Sequence, residues 1–323
     1  MVTLEQIQNA RQQLRDIAAR TPLIRYYANG DNDLFLKPES LQPIGSFKLR
    51  GAYIKVAALS PEERRRGVIS YSSGNHAQGV AYAARAMGAK SVIVMPHNAP
   101  KIKIDSTAAL GAEIVFVGAV SSERMKKAEE LAAKHGYAIV PPYDDEYIIA
   151  GQGTVGLEIL EDLADSELVL VPIGGGGLLS GVSAALKLSG SRAKVIGVEP
   201  ELANDAQQSL RAGKVIELSA ERVSSTLADG LRTQSIGAQN FEHIRAYVDD
   251  IITVTEDEIR STIRRLALEA RVIAEPSGAV APAAWLYHRD ELPKSHKTVA
   301  IVSGGNIEPQ LLAQILTEDG AKK

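Results

Sequence analysis

The chain has 323 residues, of which 45% are hydrophobic and 23% are charged, and its formal net charge is −3. These values are typical of a globular protein with about two domains, and they exclude a chain that is disordered along its whole length. The small net charge and the 5% content of aromatic residues argue against nucleic acid or an anionic membrane as a partner.

The chain contains no cysteine, which excludes thiolate nucleophiles, cysteine–zinc sites and iron–sulfur clusters. Its first residues are polar and show no signal-peptide pattern, and no apolar run approaches the ~20 residues of a membrane span. We therefore expect a cytoplasmic protein whose partner is a small-molecule substrate.

The predicted elements begin with a helix over residues 4–19, for which Thr3 and Gln6 form a capping box. This helix should end before Pro22, because a proline disfavours helical geometry in the residue that precedes it. After it, short runs rich in valine and isoleucine have the pattern of strands buried on both faces, at residues 68–71, 91–95, 112–117, 168–173, 195–198 and 298–302. Between the runs, helices are predicted at residues 77–87, 122–134, 147–163, 178–188, 256–270 and 279–288.

The alternation of strands and helices predicts an α/β fold with two open, mainly parallel sheets that carry helices on both faces. No stretch rich in glycine and serine marks a linker between domains. We expect residues 1–60 and 145–323 to form a larger domain and residues 61–144 to form a smaller domain inserted in it.

The strongest signal for a phosphate site is the run of four glycines from Gly174 to Gly177, between a predicted strand and a predicted helix. Backbone N–H groups in such a turn converge on an anion, and the helix N-terminus adds a partial positive charge. The run lacks the Lys-Ser/Thr ending of a P-loop, and Leu179 stands where Gly-x-Gly-x-x-Gly needs its third glycine. A tight turn needed only for packing is the alternative, but the entropy cost of four glycines favours a phosphate site.

A second polar cluster, Ser72-Ser73-Gly74-Asn75-His76, follows the predicted strand 68–71 and opens the next helix. Its hydroxyl, amide and free backbone N–H groups could together hold a carboxylate. An ordinary helix cap would explain one of these residues but not the whole cluster. The remaining histidines have no metal-ligand spacing and are interpreted as surface or structural residues.

Two further features complete the candidate site. Lys48 stands between Phe47 and Leu49. Desolvation by these neighbours would lower the pKa of Lys48 and free its amine to form a Schiff base. The alternative is a solvated surface group, as most lysines are. Ser303 opens a glycine-rich loop after the predicted strand 298–302, and ligands of parallel sheets bind beyond the carboxyl ends of strands. A phosphate site, a carboxylate site, a Schiff-base lysine and a hydroxyl together fit pyridoxal phosphate, a cofactor with an aldehyde and a phosphate.

Seven motifs carry a resemblance that extends over nearly the whole chain. They are residues 20–23 (Arg-Thr-Pro-Leu), 46–48 (Ser-Phe-Lys), 72–76 (Ser-Ser-Gly-Asn-His), 150–154 (Ala-Gly-Gln-Gly-Thr), 174–177 (four glycines), 275–276 (Glu-Pro) and 303–306 (Ser-Gly-Gly-Asn). In this order and spacing, they resemble the fold-type II pyridoxal-phosphate enzymes, the tryptophan synthase β-like group, in the branch of the serine/threonine dehydratases and serine racemase. Residues 141–145 (Pro-Pro-Tyr-Asp-Asp) look particularly like those of catabolic threonine dehydratases.

The resemblance implies a role for each candidate residue. Lys48 would form the Schiff base with the cofactor and act as the catalytic base, and Ser73 would act as an acid/base on the opposite face. The cofactor would also contact Phe47, Asn75, Gly174, Gly175, Gly176, Gly177, Leu178 and Ser303. The substrate carboxylate would lie among Ser72, Ser73 and His76.

The resemblance also implies a divalent-cation site, made of the carboxylates of Glu199 and Asp205 and the carbonyl of Ala203. These are hard oxygen donors, which suit Mg²⁺, Ca²⁺ or Mn²⁺. Without the resemblance, the same residues would be interpreted as a solvated acidic loop.

The implied function is the pyridoxal-phosphate-dependent β-elimination of L-threonine, L-serine or both to 2-oxobutanoate or pyruvate plus ammonia. One alternative is a serine racemase that uses the same lysine together with Ser73. Another is a dehydratase of a different 3-hydroxy amino acid, such as hydroxyaspartate or phenylserine. A ligand-binding protein on the same fold is disfavoured by Lys48, because binding alone needs no Schiff-base lysine. The resemblance further implies a homodimer or homotetramer.

Overall fold

A computed structural model describes residues 1–26, 33–72, 74–118 and 121–318 of the chain. The described strands are β1 (Ile24–Tyr26), β2 (Asp33–Pro38), β3 (Val68–Tyr71), β4 (Ser91–Pro96), β5 (Glu113–Val117), β6 (Ala138–Ile139), β7 (Leu168–Pro172), β8 (Lys194–Pro200), β9 (Asp250–Val254) and β10 (Lys297–Val302). They form a six-stranded sheet in the order β1-β2-β10-β7-β8-β9 and a four-stranded sheet in the order β5-β4-β3-β6. Strand β1 is antiparallel to β2 and the other pairs are parallel, which confirms the α/β fold with mainly parallel sheets.

The two sheets draw their strands from different parts of the chain. The described strands of the smaller sheet come from residues 68–139, whereas those of the larger sheet come from residues 24–38 and 168–302. The segment that carries the smaller sheet is therefore inserted between the two parts that build the larger one. The domain limits predicted after residues 60 and 144 lie outside every described strand, and they stay a prediction.

Helices surround both sheets. The described helices are α1 (Leu4–Gln13), α2 (Lys48–Ala58), α3 (Pro61–Arg66), α4 (Asn75–Ala86), α5 (Lys101–Ala109), α6 (Ser121–His135), α7 (Glu146–Asp162), α8 (Gly177–Leu188), α9 (Asp205–Ala212), α10 (Ala220–Ser224), α11 (Ala238–Tyr247), α12 (Glu256–Arg265), α13 (Pro276–Tyr287) and α14 (Pro309–Thr317). Short 3₁₀ turns lie at Glu39–Leu41, Glu201–Ala203 and Asp229–Leu231, and a π-helical turn at Leu266–Ala270 follows α12. Among the described helices, none is both long enough and apolar enough to span a membrane.

The six strands predicted from the sequence are present as β3, β4, β5, β7, β8 and β10. Strands β1, β2, β6 and β9 were not predicted. Strands β1 and β6 are very short, Lys37 interrupts the apolar run of β2, and β9 has only four uncharged residues after Asp250. The helix predicted over residues 4–19 has the expected capping box of Thr3 and Gln6 but ends at Gln13. The extension was wrong because Asp16 has a φ of 65°, a left-handed conformation that an α-helix does not contain.

Helices α2, α7 and α8 pack closely because glycines line their contacts. A Cβ atom on Gly151 of α7 would lie 2.6 Å from the Cα atom of Gly51 on α2. A Cβ atom on Gly181 of α8 would lie 2.4 Å from the carbonyl oxygen of Ile149 on α7. Both separations are shorter than van der Waals contact, so a side chain at either glycine would push the helices apart. This packing holds α2, which begins at Lys48, against α7.

Four buried charges lie together beside this helix packing, and we call them the buried charge cluster: Lys37, Glu39, Arg50 and Glu158. Arg50 donates from Nε to Glu39 Oε2 at 2.8 Å and from Nη1 to Glu158 Oε1 at 2.7 Å. Lys37 Nζ donates to Glu158 Oε2 at 2.6 Å. Two cations therefore balance two anions, and each charge has a hydrogen-bonded partner of opposite sign.

The buried charge cluster joins three elements. Lys37 lies on β2, Arg50 on α2 and Glu158 on α7, and Glu39 follows β2 directly. Charge-assisted bonds of this geometry are directional, so α2 cannot rotate or slide without leaving a buried charge unpaired. The cluster therefore holds in place the helix whose first residue is Lys48.

We expect the substitution Arg50→Met to lower the stability of the fold by about 3–5 kcal/mol, because it leaves the carboxylates of Glu39 and Glu158 without their main cation. The measurement is urea unfolding followed by circular dichroism. The control is Arg66→Met, which removes an exposed ion pair with Glu62 and an exposed hydrogen bond to the carbonyl of Gly136, and it should change the unfolding midpoint much less. Equal midpoints for the two variants would contradict the anchoring role of the cluster.

Candidate functional site

A cavity of about 280 Å³ collects the predicted site residues. It opens where β3, β7 and β10 end, at the carboxyl edges of both parallel sheets. The predicted residues that line it are Phe47, Lys48, Ser72, Asn75, His76, Gly174, Gly175, Gly176, Gly177, Leu178 and Ser303. Ser73 lies outside the residues that the structure describes. The cavity volume is within the scale of pockets that enclose a small organic ligand.

Lys48 is held at the wall of the cavity by the turn that precedes α2. The N–H group of Phe47 donates to the carbonyl of Ser303 at 3.1 Å, and Ser46 forms a β-bridge with Gly304. The Lys48 amine itself donates to the carbonyl of Pro142 at 2.6 Å. The turn is therefore attached to the loop that follows β10, which places the amine beside that loop.

The environment of Lys48 favours the neutral amine. Among the described residues, no carboxylate lies within ion-pair distance of its Nζ. Burial of the amine lowers the pKa of Lys48 from about 10.5 to about 8. A neutral amine is the form that attacks an aldehyde carbon or accepts a proton. A pKa of about 8 gives Lys48 a larger neutral fraction near pH 7 than the usual lysine pKa would.

The glycine loop fits an anion. Within the described residues, the backbone N–H groups of residues 174–178 donate no hydrogen bond to the protein, and those of Gly177 and Leu178 open the first turn of α8. The carbonyl of Gly175 accepts hydrogen bonds from the N–H group of Gly237 at 3.1 Å and from Asn240 Nδ2 at 2.9 Å. Free N–H groups at a helix N-terminus that lines a cavity are the donors that a phosphate group uses.

The glycines of this loop are also required by space. A Cβ atom on Gly175 would lie 2.2 Å from the ring of Tyr143, and Gly176 has a φ of 96°, which side chains rarely adopt. The loop therefore approaches the cavity with bare backbone. This observation supports a phosphate site over a turn that serves packing alone.

The loop of residues 72–76 contributes polar groups from the smaller sheet. Ser72 Oγ accepts a hydrogen bond from the N–H of Gly74 at 3.1 Å. His76 Nε2 lies 3.1 Å from the carbonyl of Val140, so Nε2 carries the hydrogen and Nδ1 is an acceptor. Burial, together with the charge of Lys48, lowers the pKa of His76 to about 3. His76 is therefore a neutral ring at physiological pH and brings no positive charge to the cavity.

Asn75 and Ser303 face the cavity from opposite sheets. Asn75 Nδ2 donates to Glu275 Oε1, and Asn75 Oδ1 accepts from Asn306 Nδ2 at 2.9 Å. Ser303 Oγ donates to the carbonyl of Ser277 at 3.3 Å and is a neutral hydroxyl. These contacts fix the direction of both side chains, so they could orient a planar ligand between them.

The predicted cation ligands form a separate group outside the cavity lining. Glu199 and Asp205 are fully buried, and Glu199 accepts the N–H groups of Ala206 at 3.0 Å and Gln207 at 2.8 Å. Neither carboxylate oxygen of Asp205 has a hydrogen-bond partner among the described residues. Burial raises the pKa of Asp205 to about 7, and burial together with the charge of Asp205 raises the pKa of Glu199 well above its usual value.

Sequence reasoning assigned no role to several residues that line the cavity. Lys103, Asp229 and Glu275 form an ion-paired group in its wall, and Arg124 and Tyr143 line it from the side of the smaller sheet. Glu275 and Tyr143 belong to motifs on which the family resemblance rests. That resemblance was the only sign in the sequence that these two residues could lie at the site. Lys103 occurs in an ordinary mixed sequence, and only the tertiary structure places it in the cavity.

Several known proteins are similar to this chain over nearly its full length. The family model described as pyridoxal-phosphate dependent enzyme matches residues 14–304. The chain is 45% identical to the L-threonine ammonia-lyase of Thermotoga maritima, over 98% of this chain and 79% of that protein. It is 41% identical to the catabolic L-threonine dehydratase of Escherichia coli, over 97% of this chain and 96% of that protein. The solved structure of maize serine racemase superposes with a TM-score of 0.91 at 35% identity, over 97% of this chain and 96% of that chain.

The lowered pKa of Lys48 has a direct test in the protein freed of cofactor. At pH 7, aldehyde addition and borohydride reduction should label Lys48 faster than the solvated lysines, since a larger fraction of its amine is neutral. The labelling rate should rise with pH and level off above about 8. Peptide mass spectrometry measures the rate, and exposed Lys101 is the internal control. A Lys48 rate that keeps rising to pH 10 would contradict the lowered pKa.

Proposed function

The chain belongs to the pyridoxal-phosphate dependent enzyme family, and we propose that it is an ammonia-lyase for L-threonine and L-serine. It eliminates the β-hydroxyl group and releases 2-oxobutanoate from threonine, or pyruvate from serine, together with ammonia. The observation that carries the proposal is the meeting of the Lys48 amine and the free N–H groups of the glycine loop in one cavity. The full-length similarity to a threonine ammonia-lyase and a threonine dehydratase supports this substrate class.

The residues of the cavity fit the cofactor of the family. The N–H groups of residues 174–178 would hold its phosphate, and Lys48 Nζ would carry it as a Schiff base. Asn75 and Ser303 would contact its ring from opposite sides, and Phe47 lines the same wall. When bound, the cofactor supplies the electron-withdrawing ring system that makes the Cα proton of an amino acid acidic.

The chain supplies the proton transfer and the orientation of the substrate. Lys48 Nζ takes the Cα proton, for which a pKa of about 8 keeps a useful fraction of the amine neutral near physiological pH. The loop of residues 72–76 binds the substrate carboxylate through Ser72 and the first N–H groups of α4. Neutral His76 closes the wall beside that loop without adding charge.

A serine racemase is the second candidate, and the structural similarity to maize serine racemase favours it. It would use Lys48 on one face of the substrate and Ser73 on the other. A dehydratase of a different 3-hydroxy amino acid, such as hydroxyaspartate or phenylserine, is distinguished by substrate alone. The homodimer or homotetramer and the cytoplasmic location stay predictions.

The activity is tested by incubating the purified protein and pyridoxal phosphate with L-threonine or L-serine. We expect 2-oxobutanoate and pyruvate far in excess of D-serine. Lys48→Ala should lower turnover by at least about 100-fold, because it removes the base, whereas Lys101→Ala, an exposed control, should not. D-serine at or above the level of pyruvate would replace the lyase by the racemase. Turnover of only hydroxyaspartate or phenylserine would correct the substrate.

We propose in addition that a divalent cation binds at Glu199, Asp205 and the carbonyl of Ala203. Burial and the charge of Asp205 favour the neutral form of Glu199, and a cation bound between the two carboxyl groups would stabilise the ionised form of both. A hard cation such as Mg²⁺, Ca²⁺ or Mn²⁺ fits these oxygen donors. Among the described residues, no cluster of three or more acidic or histidine side chains forms a metal site, so carbonyl groups and water would complete the ligands.

Cation binding predicts a shift in thermal stability. After treatment with a chelator, Mg²⁺, Ca²⁺ or Mn²⁺ should raise the melting temperature, by an amount equivalent to about 3 kcal/mol at 100 times the dissociation constant. Asp205→Asn should abolish this response, because it replaces a carboxylate ligand by a neutral amide. Asp257→Asn, in the first turn of α12, is the control. A wild-type protein whose melting temperature is the same with and without these cations would disprove the site.

A further inference from the structure

Lys103 is a second amine in the wall of the cavity, and its surroundings are opposite to those of Lys48. Its side chain is 1% exposed, and its Nζ lies 2.6 Å from Asp229 Oδ2 and 2.7 Å from Glu275 Oε2. Burial favours the neutral amine, but the carboxylates of Asp229 and Glu275 outweigh this and raise the pKa of Lys103 above its usual value. Lys103 is therefore a fixed ammonium group, with no free pair for an aldehyde.

The ion-paired group crosses the cavity from one sheet to the other. Lys103 lies on α5, which connects β4 and β5 of the smaller sheet, whereas Asp229 and Glu275 belong to the part of the chain that builds the larger sheet. The N–H group of Ile102 also donates to Glu308 Oε1 at 3.0 Å. The first turn of α5 is therefore held by three carboxylates from the part of the chain that builds the larger sheet, two of them in the cavity wall.

The same group determines the direction of the Asn75 amide. Burial raises the pKa of Glu275, and the ammonium group of Lys103 opposes this by favouring the carboxylate form. In that form Glu275 Oε1 accepts a hydrogen bond from Asn75 Nδ2. The other end of the amide accepts from Asn306 Nδ2, which also donates to the carbonyl of Ile44 at 2.9 Å. Without the ammonium group, Glu275 and Asp229 would be two neighbouring acids in a low dielectric, and one of them would take up a proton.

The close approach of Lys103 to the loop of residues 72–76 supports the same link between Lys103 and Asn75. A Cβ atom on Gly74 would lie 2.2 Å from Cδ of Lys103, so the aliphatic chain of the lysine lies directly against the loop that carries Asn75. Glu275 is 1% exposed, and its N–H group donates to the carbonyl of Gly304 in the loop after β10. Lys103 therefore contacts the loop that carries Asn75 directly, and it contacts the loop after β10 through Glu275.

We propose that Lys103 is a positioning residue that holds α5 across the cavity and fixes the Asn75 amide through Glu275. The role rests on the proposed function only in that the cavity holds the cofactor. It does not depend on which amino acid is the substrate, so it can fail or succeed separately from the lyase activity.

The test compares Lys103→Met with Lys101→Met, its matched control. Lys101 lies on the same helix, is 80% exposed and pairs only with Asp105 among the described residues. The protein without cofactor is examined by hydrogen exchange of residues 101–109. The dissociation constant for pyridoxal phosphate and the visible absorption maximum of the bound cofactor are then measured by titration.

We expect Lys103→Met to speed exchange in α5, to weaken cofactor binding by about 10- to 100-fold and to shift the absorption maximum. Lys103→Arg should recover part of both cofactor effects, since it restores the positive charge, and Lys101→Met should match the wild type. Wild-type exchange and wild-type cofactor affinity in Lys103→Met would overturn the proposal. So would a loss of affinity that Lys103→Arg does not recover at all.

A second pair of variants applies if Lys103→Met does not fold. Glu275→Gln breaks the connection between Lys103 and Asn75, whereas Asp229→Asn leaves it intact. We expect a larger loss of cofactor affinity and a larger spectral shift for Glu275→Gln than for Asp229→Asn. Equal losses, or none in either variant, would show that the group stabilises the wall without positioning Asn75.

Discussion

The site depends on the pairing of four charges that the fold removes from water. Each charge of the buried charge cluster would cost several kcal/mol if it were alone, and the cluster avoids this cost only in one relative arrangement of β2, α2 and α7. Arg50 occupies its centre and stands two positions after Lys48 in the same helix. The ion pairs of Arg50 therefore help to determine where the Lys48 amine lies.

The contrast between Lys48 and Lys103 shows how neighbours determine the chemistry of one residue type. Both amines line the same cavity and both are desolvated. Lys48 donates to a carbonyl oxygen and lies over the ring of Phe47, but among the described residues it pairs with no carboxylate. Burial therefore shifts the amine towards its neutral form. Lys103 has two carboxylates and stays charged. The Lys48 amine is therefore suited to covalent chemistry and proton transfer, whereas the Lys103 ammonium group is suited to holding Asp229 and Glu275 in place.

The cavity exists because two parallel sheets end at the same place. The loop after β3 brings the polar side chains of Ser72, Asn75 and His76 to the cavity, the loop after β7 brings the glycines of residues 174–177, and the loop after β10 brings the hydroxyl of Ser303. Each loop lies at the carboxyl end of its strand, where helix N-termini point their partial positive charge inwards. The inserted segment with the smaller sheet supplies one wall, so contacts such as that between Lys103 and Glu275 determine how the two walls meet.

The sequence by itself determined the α/β class and six of the ten described strands. It also predicted as site residues Lys48, the glycine loop and the loops at 72–76 and 303–306, which line one cavity in the structure. These are local signals: continuous apolar runs and clusters of glycine and polar residues at strand ends. The short strands β1 and β6 and the early end of α1 carry no such signal, because partner strands and a single left-handed residue decide them. Only the tertiary structure decided the protonation state of Lys48 and the neutral ring of His76. It alone joined Lys103 to Asp229 and Glu275, because burial and charge pairing depend on residues that lie far apart in the chain.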